Sequence, residues 1–252
     1  MTAANHVLFE TTTCSLCSHS EGKVIDRKTL WTIMECSRCH MMYLNPRLSR
    51  ESLVSRVYNK DYTARLEMIH TIAGDRVNQY RVNELKALKF PAKHLDVGCG
   101  LGALVYACNR AGFTSTGIDI NPEYAKKTII CGDIVTAAIP DHLYDLITMN
   151  DIVEHIYDVH AFAGKIKRIL KPGGFIVAEV PNCESRGFKS FKAKWPNNPL
   201  PEHVQFWTPA TFERLWNQHG LQVVTTDYEC SKIRGEARDA IFRSVIGNPG
   251  NF

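Results

Sequence analysis

Residues 94–108 read H-L-D-V-G-C-G-L-G-A-L-V-Y-A-C: an apolar run, a glycine-rich turn, then an amphipathic stretch. No other feature constrains the chain as strongly, because strand, glycine turn and helix in this order open a βαβ unit with parallel strands. Gly98, Gly100 and Gly102 stand in a D-x-G-x-G-x-G frame, distinct from the dinucleotide-binding G-x-G-x-x-G. Glycine serves there because the backbone turns sharply and a ligand must approach it with no Cβ in the way. A second strand, T-S-T-G-I-D-I, ends near Asp119, 21 positions after Gly98. A carboxylate at that strand end is placed to accept hydrogen bonds from ribose hydroxyls.

The other strong pattern is C-S-L-C at 14–17 and C-S-R-C at 36–39, with 18 residues between Cys17 and Cys36. Two such knuckles at this separation spell a tetrahedral four-cysteine zinc site, and the full shell of Cys14, Cys17, Cys36 and Cys39 makes that zinc structural. The alternative is four unrelated buried thiols. The segment between the knuckles alternates enough to form a hairpin or two short strands. No apolar run approaches the ~18 residues that span a bilayer. The first ten residues, M-T-A-A-N-H-V-L-F-E, lack the basic n-region and long apolar core expected of a secretion signal. A cytoplasmic chain is therefore expected, where cysteines serve as thiols or ligands. Cys99, Cys108, Cys131, Cys183 and Cys230 show no ligand spacing and read as small apolar residues. A net charge of +4 over 252 residues fits an anionic substrate and is too weak to argue for nucleic acid.

Asn45-Pro46 closes the ribbon, giving expected units of 1–46 for the zinc ribbon, 47–90 for a helical linker or lid, and 91–252 for the main domain. Within the linker, Tyr58 and Tyr62 share a helical face and read as packing.

The main domain resembles the class I S-adenosylmethionine (SAM) methyltransferases over roughly residues 80–228. L-D-V-G-C-G-L-G resembles the first motif of that family and G-I-D-I-N-P the second. C-G-D-I at 131–134 resembles the adenine-contacting motif. D-L-I-T-M-N-D-I-V-E-H resembles the fourth strand with its following loop, and L-K-P-G-G-F-I-V-A-E-V-P-N the approach to the fifth. P-E-H-V-Q-F-W-T-P leads a segment similar to the final helix and sixth strand. The resemblance implies an α/β fold with a Rossmann-like, doubly wound, mostly parallel sheet, preceded here by the ribbon. It implies SAM as cofactor, with Asp96 and Gly98 near its amino-acid end, Gly100 and Gly102 in the turn, and Asp119 on the ribose. Ile120 would cover the adenine, Asp133 would contact its amino group, and Asn150 would approach from the fourth strand. Two departures stand out. Only 12 residues separate Ile120 from Asp133, so the helix joining strands two and three must be short. After Tyr228 no seventh strand is evident, which predicts an incomplete or differently closed sheet edge.

N-D-I-V-E-H-I-Y-D at 150–158 carries three readings. It could start a helix, with Asn150 or Asp151 as N-cap and Glu154 in the first turn. His155, with Glu154 beside it, could act as general base. Asp151, Glu154 and His155 could hold a second divalent ion, in an arrangement that resembles the metal-binding loop of ubiquinone-pathway O-methyltransferases. A proline-rich stretch at about 182–207 reads as a substrate loop, with Arg186, Lys189, Lys192 and Lys194 interleaved with Phe188, Phe191 and Trp195. Cations with aromatics suit an anionic, sugar-like acceptor; a solvated basic loop is the alternative. His203 is a second candidate proton acceptor, or a residue that caps the next helix. Three functions follow. The first is methyl transfer to a small-molecule acceptor at O, N or C. The second is an RNA methyltransferase that uses the ribbon for recognition, although Glu21, Asp26 and Glu35 offset the ribbon's few cations. The third is a non-enzymatic SAM-binding module.

Overall fold

The computed structural model describes residues 8–56, 76–197, 199–234 and 239–249; Tyr58 and Tyr62 lie outside them. The N-terminal part comprises β1 (Phe9–Glu10), β2 (Gly22–Lys28), β3 (Trp31–Cys36), β4 (Met42–Leu44), β5 (Arg47–Leu48) and α1 (Arg50–Arg56). Helix α2 is described over 76–88. The main sheet follows as β6 (Lys93–Val97), β7 (Thr114–Asp119), β8 (Ile129–Cys131), β9 (Tyr144–Asn150) and β10 (Leu170–Pro181), with α3 (Ala103–Arg110) and α4 (Val159–Ile169) between strands. Then come α5 (Arg186–Phe191), β11 (Gln205–Phe206), α6 (Pro209–Gln218), β12 (Gln222–Asp227), α7 (Glu229–Ile233) and β13 (Ile241–Gly247).

The seven-stranded sheet runs β12-β13-β10-β9-β6-β7-β8. Strands β6 to β10 pair in parallel, and the strand order reverses beside β6, where ligands bind in such folds. Alternate residues of these strands face opposite layers. Leu146, Val177 and Val245 pack with α2 and α3 through Val82, Leu85, Leu104 and Cys108. Ile147, Ile176 and Ile246 face α4 and α6 through Phe162, Ile166, Phe212 and Trp216. The sheet is thus covered on both faces, as the sequence predicts.

A seventh strand is present although none is evident in the sequence after Tyr228, so the sheet is not incomplete. β13 lies antiparallel between β10 and β12, from Phe175↔Gly247 to Pro181↔Ile241 on one side and Gln222↔Gly247 to Asp227↔Arg243 on the other. Its apolar run is broken by Arg243 and Ser244, both buried. Arg243 is tolerated because Asp227 at 2.6 Å and Glu84 at 2.7 Å flank its guanidinium. The short β7–β8 connection is as expected: a single 3-10 turn at Pro122–Tyr124.

The cysteine-rich segment forms the predicted hairpin, β2 with β3, and β4 extends it. β11 then adds a fourth strand from 160 residues further along the chain, giving the order β11-β4-β3-β2. Cys14, Leu16, Cys36, Cys39, Met41 and Tyr43 belong to the same apolar core as α4 and α6. Ribbon and sheet are packed as one body.

Between β6, β7 and β9 lies a buried polar relay. His94 is fully buried; its Nδ1 lies 2.8 Å from Ser115 Oγ and its Nε2 2.8 Å from Thr148 Oγ1, while Thr148 donates to Asp96 Oδ1 at 2.6 Å. Burial pushes His94 down to about 3. Since that lies below its ordinary 6.5, the neutral ring's contribution to stability is full above about pH 6.5 and is lost as pH falls toward 3. Between pH 7 and 5 the loss is about 2 kcal/mol. Asp96, raised by burial to about 6, works in the opposite sense: its contribution is present below its ordinary 3.8 and is lost as pH rises through about 6, so the same acidification restores about 1 kcal/mol. Urea unfolding at the two pH values is expected to show that the change from pH 7 to 5 is about 2 kcal/mol more favourable to the fold in His94→Phe than in the wild type, because only the opposing Asp96 contribution remains. Equal changes would contradict this assignment.

Candidate active site

The glycine turn follows β6. Gly98, Gly100 and Gly102 take φ of 69, 51 and 80°, a region that L side chains rarely enter. A Cβ on Gly98 would land inside the Ile152 side chain, whereas one on Gly100 would meet nothing within 4 Å among the described residues. The turn is therefore packed on one side and, among these residues, open on the other, which is the cradle a ligand needs. Asp119, at the end of β7, closes it: Oδ2 accepts from Gly100 N–H and Oδ1 from Asn121 N–H, both at 2.9 Å. Burial raises the Asp119 carboxyl, opposed by the N–H groups of Asn121, Gly100 and Ile120. Each oxygen keeps a second lone pair for a ligand hydroxyl.

The adjoining cleft is lined by Asn78, Arg81, Asp96, Gly98, Leu101 and Asn150, among others. Ile120 directly follows Asp119 and is 41% exposed. Asp133 follows β8, but its carboxylate is already engaged by Arg50 and by Val135 N–H at 2.9 Å. Seven of the eight residues expected to hold the cofactor thus gather along the carboxyl ends of β6, β7 and β9, with Asp133 tied to α1.

Sequence reasoning missed the ion network behind this cleft. Glu179 of β10 is 1% exposed and pairs with Arg81 of α2 and with Arg234, the latter at 3.4 Å. Burial would raise its carboxyl, but Arg81 outweighs that and, helped by Arg234 and Arg243, holds it below the usual carboxylate range. The signal was present as a lone acid inside F-I-V-A-E-V-P, since a carboxylate on a buried strand requires a cation.

The 150–158 stretch departs from the expected helix start. Asn150 is the last residue of β9, and Asp151 turns left-handed at φ 55°. The N-cap of α4 is instead Asp158, which accepts from Ala161 N–H at 2.9 Å. Between them Val153–His155 form one 3-10 turn. The second-ion set is corrected as well. The Asp151 carboxylate pairs with Arg234 at 2.7 Å, and the donors that lie within 4.8 Å of one another are those of Glu154, His155 and His203.

In this cluster Glu154 is 1% exposed and neither carboxyl oxygen has a hydrogen-bond partner among the described residues. Its Oε1 lies 3.9 Å from His203 Nε2. The rings of His155 and His203 meet edge-to-face at 4.8 Å, and His155 Nδ1 lies 3.0 Å from Glu202 O. Burial, with the Asp151 charge nearby, raises Glu154 well above the carboxylate range. Burial lowers both histidines, His203 strongly and with the help of His155. Burial thus disfavours the charged form of all three groups of the cluster.

Of the cation-and-aromatic surface expected over 182–207, Phe191 is exposed beside the cations, but the other two aromatics are not. Arg186, Lys189, Lys192 and Lys194 are exposed, while Phe188 and Trp195 are buried against the ribbon's Ile33, Met42 and Leu44. α5, a 3-10 turn at Lys192–Lys194 and β11 replace the anticipated open loop. The helix cap after His203 is Thr208, which closes a capping box with Thr211.

The four cysteines converge as expected. Cys14 and Cys39 sulfurs are 3.4 Å apart, Cys17 and Cys36 3.6 Å apart, and all four lie within 4.8 Å of one another. Thiolates at about 2.3 Å from a tetrahedral zinc are separated by about 3.8 Å, so the four sulfurs fit that ion.

Among the described residues no helix is long and apolar enough to cross a membrane. The profile of the methyltransferase domain family matches residues 68–226. A ubiquinone biosynthesis O-methyltransferase of Rhodopseudomonas palustris is 26% identical over 196 residues, covering 66% of this chain and 76% of that protein. One of the same name from Bradyrhizobium is 33% identical over 126 residues, or 46% of this chain and 47% of its own length. Among solved structures, a SAM-dependent methyltransferase from Archaeoglobus fulgidus superposes with a TM-score of 0.57 at 18% identity, covering 72% of this chain and 98% of its own. One from Mesorhizobium loti gives 0.52 at 15%, covering 66% and 96%. These likenesses set aside the non-enzymatic reading. With its Rossmann-like sheet and glycine turn, the chain belongs to the methyltransferase domain family and is a class I SAM-dependent methyltransferase.

Proposed function

We propose that the enzyme methylates a hydroxyl of a small-molecule acceptor, and that Glu154, His155 and His203 receive that acceptor. One observation carries this reading: the buried Glu154 carboxyl, with both oxygens unpaired among the described residues and two imidazoles beside it. An orphaned buried carboxyl costs about 1–3 kcal/mol, and an arriving hydroxyl would satisfy it. Either imidazole could then take the hydroxyl proton, because burial keeps both rings unprotonated at neutral pH. The names of the relatives, O-methyltransferases, support oxygen as the atom methylated.

When bound, SAM supplies an electrophilic methyl group. The residues that would hold it are Asp96, Gly98, Gly100, Gly102, Asp119, Ile120 and Asn150, with Asp133 serving only by sharing its carboxylate with Arg50. Acidic side chains and open backbone amides suit a zwitterionic, sulfonium-bearing ligand. Cys14, Cys17, Cys36 and Cys39 would hold a structural zinc. Nucleic-acid recognition by the ribbon has less support, since Glu35 takes both Lys23 at 3.3 Å and His40 at 2.9 Å. A second reading of the Glu154 cluster is a divalent ion, favoured by three donors within 4.8 Å; an ion there would lower the pKa of the bound hydroxyl.

The test follows labelled methyl from SAM onto a panel of catechol, phenol and nucleotide-sugar probes. On a probe that the wild type accepts, Glu154→Gln is expected to lower kcat about 10-fold, the loss of one acceptor hydrogen bond, and leave SAM affinity intact. Asp119→Ala is expected to weaken SAM binding. Wild-type turnover in Glu154→Gln would sink the acceptor assignment, and a metal bound by wild type but absent from Glu154→Gln would favour the second reading.

A further inference from the structure

The three donors of the acceptor cluster sit on two separate arms of the chain, and both arms are tied to the first cysteine knuckle. The arm after β9 carries Glu154 and His155. The arm before β11 carries His203. They meet at Val204, whose N–H donates to Glu154 O at 3.0 Å and whose carbonyl accepts from Leu44 N–H of β4 at 3.0 Å. One residue thus has the catalytic turn on one edge and the ribbon sheet on the other. Its neighbour Gln205 continues the pairing opposite Tyr43.

The Gln205 side chain makes a second, independent tie. It is 1% exposed. Oε1 accepts from Ser15 Oγ–H at 2.7 Å, and Nε2 donates to Ile156 O at 3.1 Å. The amide cannot be reversed, because a flip would set its oxygen against the Ile156 carbonyl. Ser15 lies between Cys14 and Cys17, and Ile156 directly follows His155. The next knuckle residue also reaches out: Leu16 O lies 3.1 Å from His160 Nε2, and His160 Nδ1 lies 3.1 Å from His219 Nε2. These ties run from the interior of a metal knuckle to the residues beside all three donors.

We propose that Gln205 is a positioning residue, bridging Ser15 of the cysteine knuckle to the Ile156 carbonyl and thereby setting the separation of His203 from Glu154 and His155. The four-cysteine centre then has a function beyond folding: it holds the acceptor cluster in register with the sheet. The inference rests on the proposed role of that cluster, but its geometric part can be tested without any acceptor.

The variants are Gln205→Leu, which keeps the volume and removes both hydrogen bonds, and Ser15→Ala, which removes only the ribbon half. In the folded, metal-loaded protein, imidazole nitrogen chemical shifts of His155 and His203 are expected to move in both variants, while those of His142 do not. Bound zinc and SAM affinity are expected to stay within about 2-fold of wild type. On an accepted probe, kcat is expected to fall about 10-fold with little change in KM, and the double variant is expected to lose no more than Gln205→Leu alone, because both substitutions cut one bridge. Unmoved His155 and His203 signals in Gln205→Leu would overturn the proposal. So would losses in the double variant equal to the product of the singles. Moved signals in an enzyme whose Glu154→Gln variant turns over normally would uphold the bridge and reject the acceptor role of the cluster.

Discussion

Replacing Glu179 by alanine is expected to lower the unfolding free energy by about 3–5 kcal/mol, the usual cost of removing one partner from a buried ion pair. Glu179 is 1% exposed in the middle of the sheet and faces Arg81 and Arg234. Without it the two guanidinium groups lose the buried carboxylate that they share, while Asp151 stays 2.7 Å from Arg234. Arg81 also lines the cofactor cleft from α2, so SAM affinity is expected to fall in the same variant. Glu179→Gln keeps the shape and loses the charge, and its destabilisation should fall between wild type and alanine. Denaturant unfolding with SAM titration of the three proteins decides the matter. A loss below about 1 kcal/mol for alanine would show that the cations are hydrated rather than paired.

The second large effect is expected at the cysteines. Cys36→Ser removes one corner of a cluster whose sulfurs lie within 4.8 Å of one another, and should abolish binding of one zinc per chain. Structural zinc contributes folding free energy directly, on the order of 10 kcal/mol in small zinc domains. Here part of that is backed by core packing, because Cys36, Cys39, Met41 and Tyr43 share the core of α4 and α6. A loss of at least about 3 kcal/mol is therefore expected, felt by the whole body rather than by the ribbon alone. Metal analysis and thermal unfolding check it: a single transition shifted to lower temperature supports the account. Wild-type protein that contains no metal yet unfolds at the same temperature as Cys36→Ser would reject it.

What the sequence reveals follows the range of the interactions involved. The glycine turn, Asp119 and both cysteine knuckles are local patterns whose chemistry is complete within a few residues, so their geometry was legible. β13 was not, because Arg243 and Ser244 interrupt its apolar run and the groups that neutralise Arg243 lie on α2 and β12. The partner of Glu154 was hidden for the same reason. His203 is 49 residues away in sequence, and only the pairing of β11 with β4 brings it back. Asp151, adjacent to Asn150 and close to Glu154 in sequence, was drawn off by Arg234 from a segment with no pattern at all. Two aromatics of 182–207 misled in a complementary way. Phe188 and Trp195 stand next to lysines in sequence, yet they are buried against the ribbon while the lysines face solvent.

The central claim is a division of labour at the strand ends: the glycine turn and Asp119 hold SAM, and Glu154 with its histidines serves only the acceptor. Calorimetric titration of SAM into wild type, Asp119→Ala and Glu154→Gln tests it most directly. The account predicts one SAM per chain in wild type, affinity weakened by at least about 10-fold in Asp119→Ala, as expected from losing about 1.4 kcal/mol or more of hydrogen bonding, and wild-type affinity in Glu154→Gln. Unchanged binding in folded Asp119→Ala, or lost binding in folded Glu154→Gln, would contradict it.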